Sequence, residues 1–264
     1  MRNKILVLSV GSLLFFGSFN LFHTFKYKVK KIVIDAGHGG KNWGTTGKIS
    51  KEKNVALAIS KKLGRILSEK MSGVEIILTR NNDTFIGLNE RAEIANKNSA
   101  DLFVSIHCNS SGNSRAQNVK GTETWVMGMN KLSSNLDVAK RENAVILLEE
   151  NYQEKYEGYD PDSPASNILF SLYQNAYLNN SLKLAEKIEY QFKNRVGKNS
   201  RGVKQGPFLV LHKSYMPSVL VEVGFLTNPQ EEKELNDALK QTYVASAIYR
   251  AIRDYKQDVE SLSE

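Results

Sequence analysis

Three apolar runs constrain this chain more than any other feature, because each carries a chemistry-bearing side chain at or near its end. Ile32-Val33-Ile34-Asp35 runs into Ala36-Gly37-His38-Gly39-Gly40, and Leu102 to Ile106 runs into His107-Cys108-Asn109-Ser110. The third run, Val219-Leu220-Val221-Glu222-Val223-Gly224-Phe225, holds a carboxylate where a covered strand normally holds none. Short apolar runs bounded by turn residues read as buried strands, and a buried acid is costly unless something pairs with it. Imidazoles and acids gathered at strand ends of one sheet form the donor set that a zinc hydrolase requires.

Around these runs, strand and helix patterns alternate. Val55, Ile59, Leu63 and Ile66 share one face of a helix predicted from about Ser50 to Lys70. A strand over Val74–Thr79, a helix over Leu88–Asn98 and a strand over Gly121–Met127 follow. This order predicts an α/β fold: a single domain over residues 29–257 with a mixed, mostly parallel sheet flanked by helices. From about Leu132 to Val196 the pattern is helical, charge-rich at first, and includes Ser163-Pro164, an N-cap followed by proline at the first helical position. That stretch is longer than a crossover needs. We read residues 131–180 as a helical insertion between the second and last site strands, with a regulatory purpose of its own. Gly206 to Leu211 leads back to the Glu222 strand, a long helix runs from Pro229 to about Asp254, and residues 258–264 form a tail.

At 264 residues and 41 % hydrophobic content the chain can bury a substantial core. Its start differs from the rest: Arg2 and Lys4 precede Ile5 to Phe16, and no charge appears before Phe22. Residues 1–28 therefore read as a signal peptide or N-terminal membrane anchor, which implies export. The lone Cys108 cannot form an internal disulfide, and strand alternation turns it away from the face that His107 occupies. The formal charge of +8 falls to +6 without Arg2 and Lys4. That excess suits anionic polymers, but the lysines are scattered along helices with no aromatic residues between them as stacking platforms, so no nucleic-acid partner is expected.

His38 and His107 share the strand-then-turn placement, and small residues beside His38 let a ligand approach. Glu52 falls in the first turn of its helix. Interaction with the helix dipole would suffice to explain it, yet as an oxygen ligand it would complete a His, Glu, His set with one position open. Glu222 faces opposite to Val221 and Val223, and a general base beside the metal would account for an acid there.

Taken together, Ile-Asp-Ala-Gly-His38-Gly-Gly, Glu52, Ser-Ile-His107-Cys-Asn-Ser and Met-Pro-Ser-Val-Leu-Val-Glu222-Val-Gly-Phe-Leu-Thr-Asn resemble the zinc-dependent N-acetylmuramoyl-L-alanine amidases of the Amidase_3 type. The resemblance extends from Lys31 to Tyr255 and includes Leu78-Thr-Arg80-Asn-Asn-Asp83 with Leu88, Arg91, Ala95 and Asn96. It implies one zinc ion on His38, Glu52 and His107, with Glu222 as the catalytic glutamate. It also implies hydrolysis of the amide between N-acetylmuramic acid and L-alanine in peptidoglycan, for wall remodelling and daughter-cell separation in the periplasm. Division-associated members of this family carry a helical insertion that covers the zinc site until an activator protein displaces it. Here Glu142, Glu149 or Glu150 could fill the open position, and an activator would bind the insertion. The membrane would be met only through the N-terminal segment, if it is uncleaved.

His212 departs from the commoner pattern and reads as a groove histidine, with a fourth metal ligand as the alternative. Arg80, Asp83 and Arg91 read as scaffold, an Arg-Asp pair and a helix-surface contact. Two other functions compete: a catalytically silent peptidoglycan-binding protein, and a zinc peptidase or deacetylase acting on another amide.

Overall fold

The computed structural model describes residues 27–112, 116–128, 133–161, 163, 165–166 and 177–261. Six strands form one sheet: β1 (Lys31–Ala36), β2 (Glu75–Leu78), β3 (Leu102–Asn109), β4 (Thr122–Met127), β5 (Ser200–Gly206) and β6 (Ser218–Phe225). Their order is β2-β1-β3-β6-β4-β5. Every neighbouring pair is parallel except β4 and β6, so the sheet is mixed and mostly parallel, as the sequence predicts.

Alternation divides the side chains between two cores. Ile32, Ile34, Val104, Ile106, Cys108, Val219, Val221 and Val223 face helix α1 (Glu52–Lys70), the helix Leu178–Gln191 and the long helix Ala238–Ser261. Val33, Phe103, Trp125 and Leu220 face the other side, under helix α2 (Leu88–Lys97) and helix α3 (Ser133–Asn143). Asp35, Ser105, His107, Glu123 and Glu222 share the parity of this second set, so these five polar residues lie on one face, whereas Thr122 and Thr124 face the other and bond Glu189. Cys108 lies in the first core, turned from His107 as expected.

Several boundaries differ from the sequence reading. Lys51 is the N-cap of α1, while the Ser50 hydroxyl donates to Glu232. β3 continues past His107 to Asn109. The single helix expected from Pro229 is two, Pro229–Asn236 and Ala238–Ser261, broken at the extended Asp237, and the second runs into the stretch expected to be a tail. β5 was invisible to periodicity because Ser-Arg-Gly-Val-Lys-Gln-Gly, at the sheet edge, has one apolar side chain. Ser163 Oγ accepts from Ser166 N at 3.3 Å; Pro164 lies outside the described residues, as do residues 1–26 of the N-terminal segment. Among the described residues no helix is long and apolar enough to cross a membrane.

Arg80 and Arg91 do the scaffolding, but as buried groups rather than surface contacts. Arg91 is 1 % exposed and donates to Asp35 Oδ1, Ala36 O and His38 O, each at 2.7 Å, and to Ile86 O. Arg80 donates to Ala36 O, Gly37 O and Lys53 O. The Arg-Asp pair is thus Arg91 with Asp35; Asp83 instead takes Lys53 Nζ and Gly40 N. Burial pushes the Asp35 carboxyl up, but Arg91, Ser105 and Thr79 outweigh it and hold the group below the usual aspartate range. Removing one partner of such a pair costs about 3–5 kcal/mol. Asp35→Ala should therefore lower the melting temperature by roughly 6–20 °C at neutral pH. Because the folded pKa is depressed, the contribution is complete above the unfolded value near pH 4 and disappears as pH falls through the folded one. Thermal unfolding of both proteins across that range measures it, and equal melting temperatures at pH 7 would refute the assignment.

Candidate metal centre

His38 follows β1 with φ at 60°, a conformation that costs a non-glycine residue energy. Gly39 and Gly40 continue the turn at positive φ, and the Arg91 bond to His38 O fixes it. His107 comes from β3. Its ring packs so closely on Gly37 that a Cβ there would lie 2.5 Å from Nε2, which leaves Nδ1 facing the site. Glu52 enters from the first turn of α1, and its Oε2 accepts from Thr45 N at 2.7 Å while its Oε1 accepts from Cys108 N at 2.8 Å.

These three converge. Glu52 Oε1 lies 3.0 Å from both His38 Nε2 and His107 Nδ1. A fourth group joins them: Glu142, at the end of α3, brings Oε2 to 3.0 Å from His107 Nδ1 and 3.4 Å from His38 Nε2. One donor atom from each of the four lies within 4.8 Å of all the others, and all four residues are buried. His38 Nε2 and Glu142 Oε2 are nevertheless without a well-directed hydrogen bond. His107 Nδ1 and Glu52 Oε1 are within hydrogen-bond distance of each other, while the other two atoms approach the same point unbonded, as donors around a metal position do. Two imidazoles and two carboxylates in this arrangement suit a tetrahedral zinc, so the residues fit the ion.

The four groups also shift one another's protonation, and a bound cation would take the place of the imidazole protons. Burial pulls the His38 imidazole down, but Glu52 and Glu142 more than reverse this and raise it to about 10. Glu52 goes the other way: burial raises it, and His38 with His107 brings it down to about 2 despite repulsion from Glu142. Glu142 is likewise lowered by His107 and His38 against its burial.

Glu222 lies in register with His107 across β3 and β6. It is fully buried, and neither carboxylate oxygen has a hydrogen-bond partner. Burial first, then the charges of Glu142, Glu52 and Glu123, pushes its pKa well above the ordinary glutamate value. An acid kept protonatable beside a metal position is equipped for proton transfer.

His212 ends the short helix Leu209–His212 and is not among the four clustered groups. Of the three candidate acids of the insertion, Glu142 enters the centre. Glu149 instead accepts from Leu88 N and Tyr156 OH, and Glu150 is exposed. The cavity beside His38 and His107, closed by Glu142, Asn143 and Val145, retains about 10 Å³, room for one water at most.

Sequence reasoning missed Glu123. It lies opposite Glu222 across β4 and β6, is 2 % exposed, and touches Asn109, Arg201 and Lys204. The signal was the one that exposed Glu222, an acid inside a strand, but flanking threonines made that strand look half-polar.

The chain is similar to known proteins over most of its length. The chain is 38 % identical over 227 residues to the N-acetylmuramoyl-L-alanine amidase AmiA of Escherichia coli, which covers 85 % of this chain and 75 % of that one. An N-acetylmuramoyl-L-alanine amidase from Clostridium difficile superposes with a TM-score of 0.64 at 29 % identity, over 87 % of this chain and 97 % of that one. The CwlD amidase of Clostridioides difficile, solved in complex with the GerS lipoprotein, gives 0.63 at 27 % identity over 87 % and 99 %. With the Amidase_3 family model matching residues 32–254, the chain belongs to the N-acetylmuramoyl-L-alanine amidase family.

Proposed function

We propose that the protein hydrolyses the amide between the lactyl group of N-acetylmuramic acid and the first L-alanine of peptidoglycan, with His38, Glu52 and His107 holding one zinc ion. The observation that carries this reading is Glu222, an unpartnered buried acid in register with one of two imidazoles that converge on a carboxylate. When bound, zinc supplies Lewis acidity, polarising the scissile carbonyl and lowering the pKa of water to about 7. Glu222 takes the proton of the attacking water and returns it to the departing amine of alanine. Thr45 and Cys108 amides fix the Glu52 carboxylate, and Arg91 fixes the backbone of His38, so the donor set is organised before the ion arrives.

Glu142 is the lock in this reading. It occupies the fourth donor position and, with Asn143 and Val145, fills the cleft where the substrate amide must enter. The insertion holds this state through Arg141, which donates to Asn109 Oδ1 and Ser110 O, and through Asn143, which bonds Pro207 O and Leu209 N. A protein that draws the insertion away would activate the enzyme; the CwlD amidase in complex with the GerS lipoprotein supports the idea of a partner. The basic start and apolar run of residues 1–28 support export to the periplasm, where wall remodelling and daughter-cell separation take place.

Incubation of purified peptidoglycan with the zinc-loaded chain should release stem peptides bearing a new amino-terminal alanine. Glu222→Ala should cut the rate by roughly 10²–10⁴-fold while still binding zinc. Glu142→Ala should raise the basal rate about tenfold where the closed state holds about nine-tenths of the molecules; an unchanged rate would remove the lock. If neither wild type nor Glu142→Ala yields the new terminus, the amidase reading fails. Metal titration gives an independent check: Gly37→Ala, which drives a methyl into the His107 ring, should weaken zinc binding by about 10–100-fold, and undiminished affinity would show that His107 is not a ligand.

A further inference from the structure

The mechanism leaves Glu123 and its partners unused. Glu123 is buried on β4 and accepts three bonds: Asn109 Nδ2 at 2.8 Å on Oε2, and both Arg201 Nε and Lys204 Nζ at 2.6 Å on Oε1. Registered residues of neighbouring strands present their side chains to the same face. His107 is in register with Glu222, and Glu222 with Glu123. A row of charged side chains therefore crosses the sheet from the metal centre to the edge strand β5.

The charges in this row do not balance. One carboxylate oxygen carries two cations, which leaves a surplus of one positive charge beside the catalytic acid. A pin for the edge strand needs only one of them. The surplus faces outward, since the Arg201 side chain is 38 % exposed and that of Lys204 is 22 % exposed. Among the described residues no acid other than Glu123 pairs with either cation, and neither Nη group of Arg201 has a hydrogen-bond partner. Aromatic rings steady both heads: Arg201 lies 5.3 Å from the Phe225 ring centre, and Lys204 lies 5.2 Å from that of Trp125. Arginine held by Nε alone keeps the outer edge of its planar fork for a second carboxylate.

The separation matches the substrate of the proposed reaction. β5 is two strands from β6, about 10 Å by ordinary strand spacing, and arginine and lysine side chains reach back across part of that distance. In a stem peptide the α-carboxyl of the residue after the first alanine lies roughly 6–7 Å from the scissile nitrogen along an extended chain. That residue is a glutamate joined onward through its side chain, so its α-carboxyl is either a free acid or an amide. We infer that Arg201 and Lys204, positioned by Glu123, form a subsite for the free α-carboxylate of the second stem residue and select acid over carboxamide. This inference rests on the amidase reading above.

The test uses the zinc-loaded full chain carrying Glu142→Ala and a matched pair of synthetic glycan–peptide fragments. The two differ only in whether that α-carboxyl is free or amidated, and every other stem carboxyl is amidated in both, which excludes anions further along the peptide. The free acid should be cut with a kcat/KM about tenfold higher, carried by KM. In Arg201→Gln/Lys204→Gln the ratio should fall to within about twofold. Arg201→Lys, which keeps charge and strand packing but loses the fork, should give an intermediate ratio, and it supplies the answer if the double variant does not fold. Equal rates on the two fragments, or a preference that survives both sets of substitutions, would overturn the subsite while leaving the amidase intact. Failure to cut either fragment would overturn the amidase reading, and this one with it.

Discussion

A single guanidinium inside the sheet layer sets up everything else. Arg91 reaches from α2 to Asp35, the penultimate residue of β1, and to the carbonyls of Ala36 and His38. Asp35 completes its coordination with Thr79 just beyond β2 and Ser105 on β3. Three strands and a helix are thereby tied to one fully buried carboxylate. Buried ion pairs of this kind are weak contributors to net stability against an apolar replacement, and their best-supported use is to fix one arrangement among several. Here the arrangement fixed is the left-handed turn at His38, which no local preference of a histidine would choose. The geometry of the donor set is inherited from that pair.

The centre concentrates negative charge to an unusual degree. Glu52, Glu142, Glu222 and Glu123 all lie on adjoining elements, all buried, with two imidazoles among them. The system divides into groups that meet a cation and one that does not. Glu52 and Glu142 are drawn down by the histidines, and Glu123 is met by Arg201 and Lys204. Glu222, with no cation paired to it among the described residues, is driven upward by its burial and its neighbours. Chemically identical side chains, Glu52 and Glu142 on one hand and Glu222 on the other, are thus shifted in opposite directions by surroundings alone.

Much of this was legible in the chain because the chemistry breaks a simple pattern. His38, His107 and Glu222 stand out against apolar strands, and Glu52 stands at the start of a helix whose periodicity is clean. The limits were physical as well. Helical spacing alone does not choose among Glu142, Glu149 and Glu150, because the choice depends on how α3 crosses the sheet; Glu149 turned out to bond the first turn of α2. Arg91 looks like a surface residue in a polar helix, and only the buried carbonyls it bonds explain its 1 % exposure. β5 and Glu123 escaped for a related reason. They are stabilised by ion pairs with each other, and ion pairing leaves no hydrophobic period to detect.

The direction of β4 reaches further than pairing geometry. As the strand antiparallel to β6, it begins beside the centre and ends at the opposite edge of the sheet. Glu142, which follows β4 in the chain, is nevertheless back beside the histidines. Apart from Glu142 itself, the segment that carries it meets the ligand-bearing strands at or past their ends, through Arg141 to Asn109 and Ser110 at the close of β3 and through Leu148 to Lys41 after β1. Changes in the length or sequence of that segment can accumulate without moving a ligand-bearing strand, so the occlusion of the centre and the chemistry of the centre are free to evolve as separate traits on one scaffold.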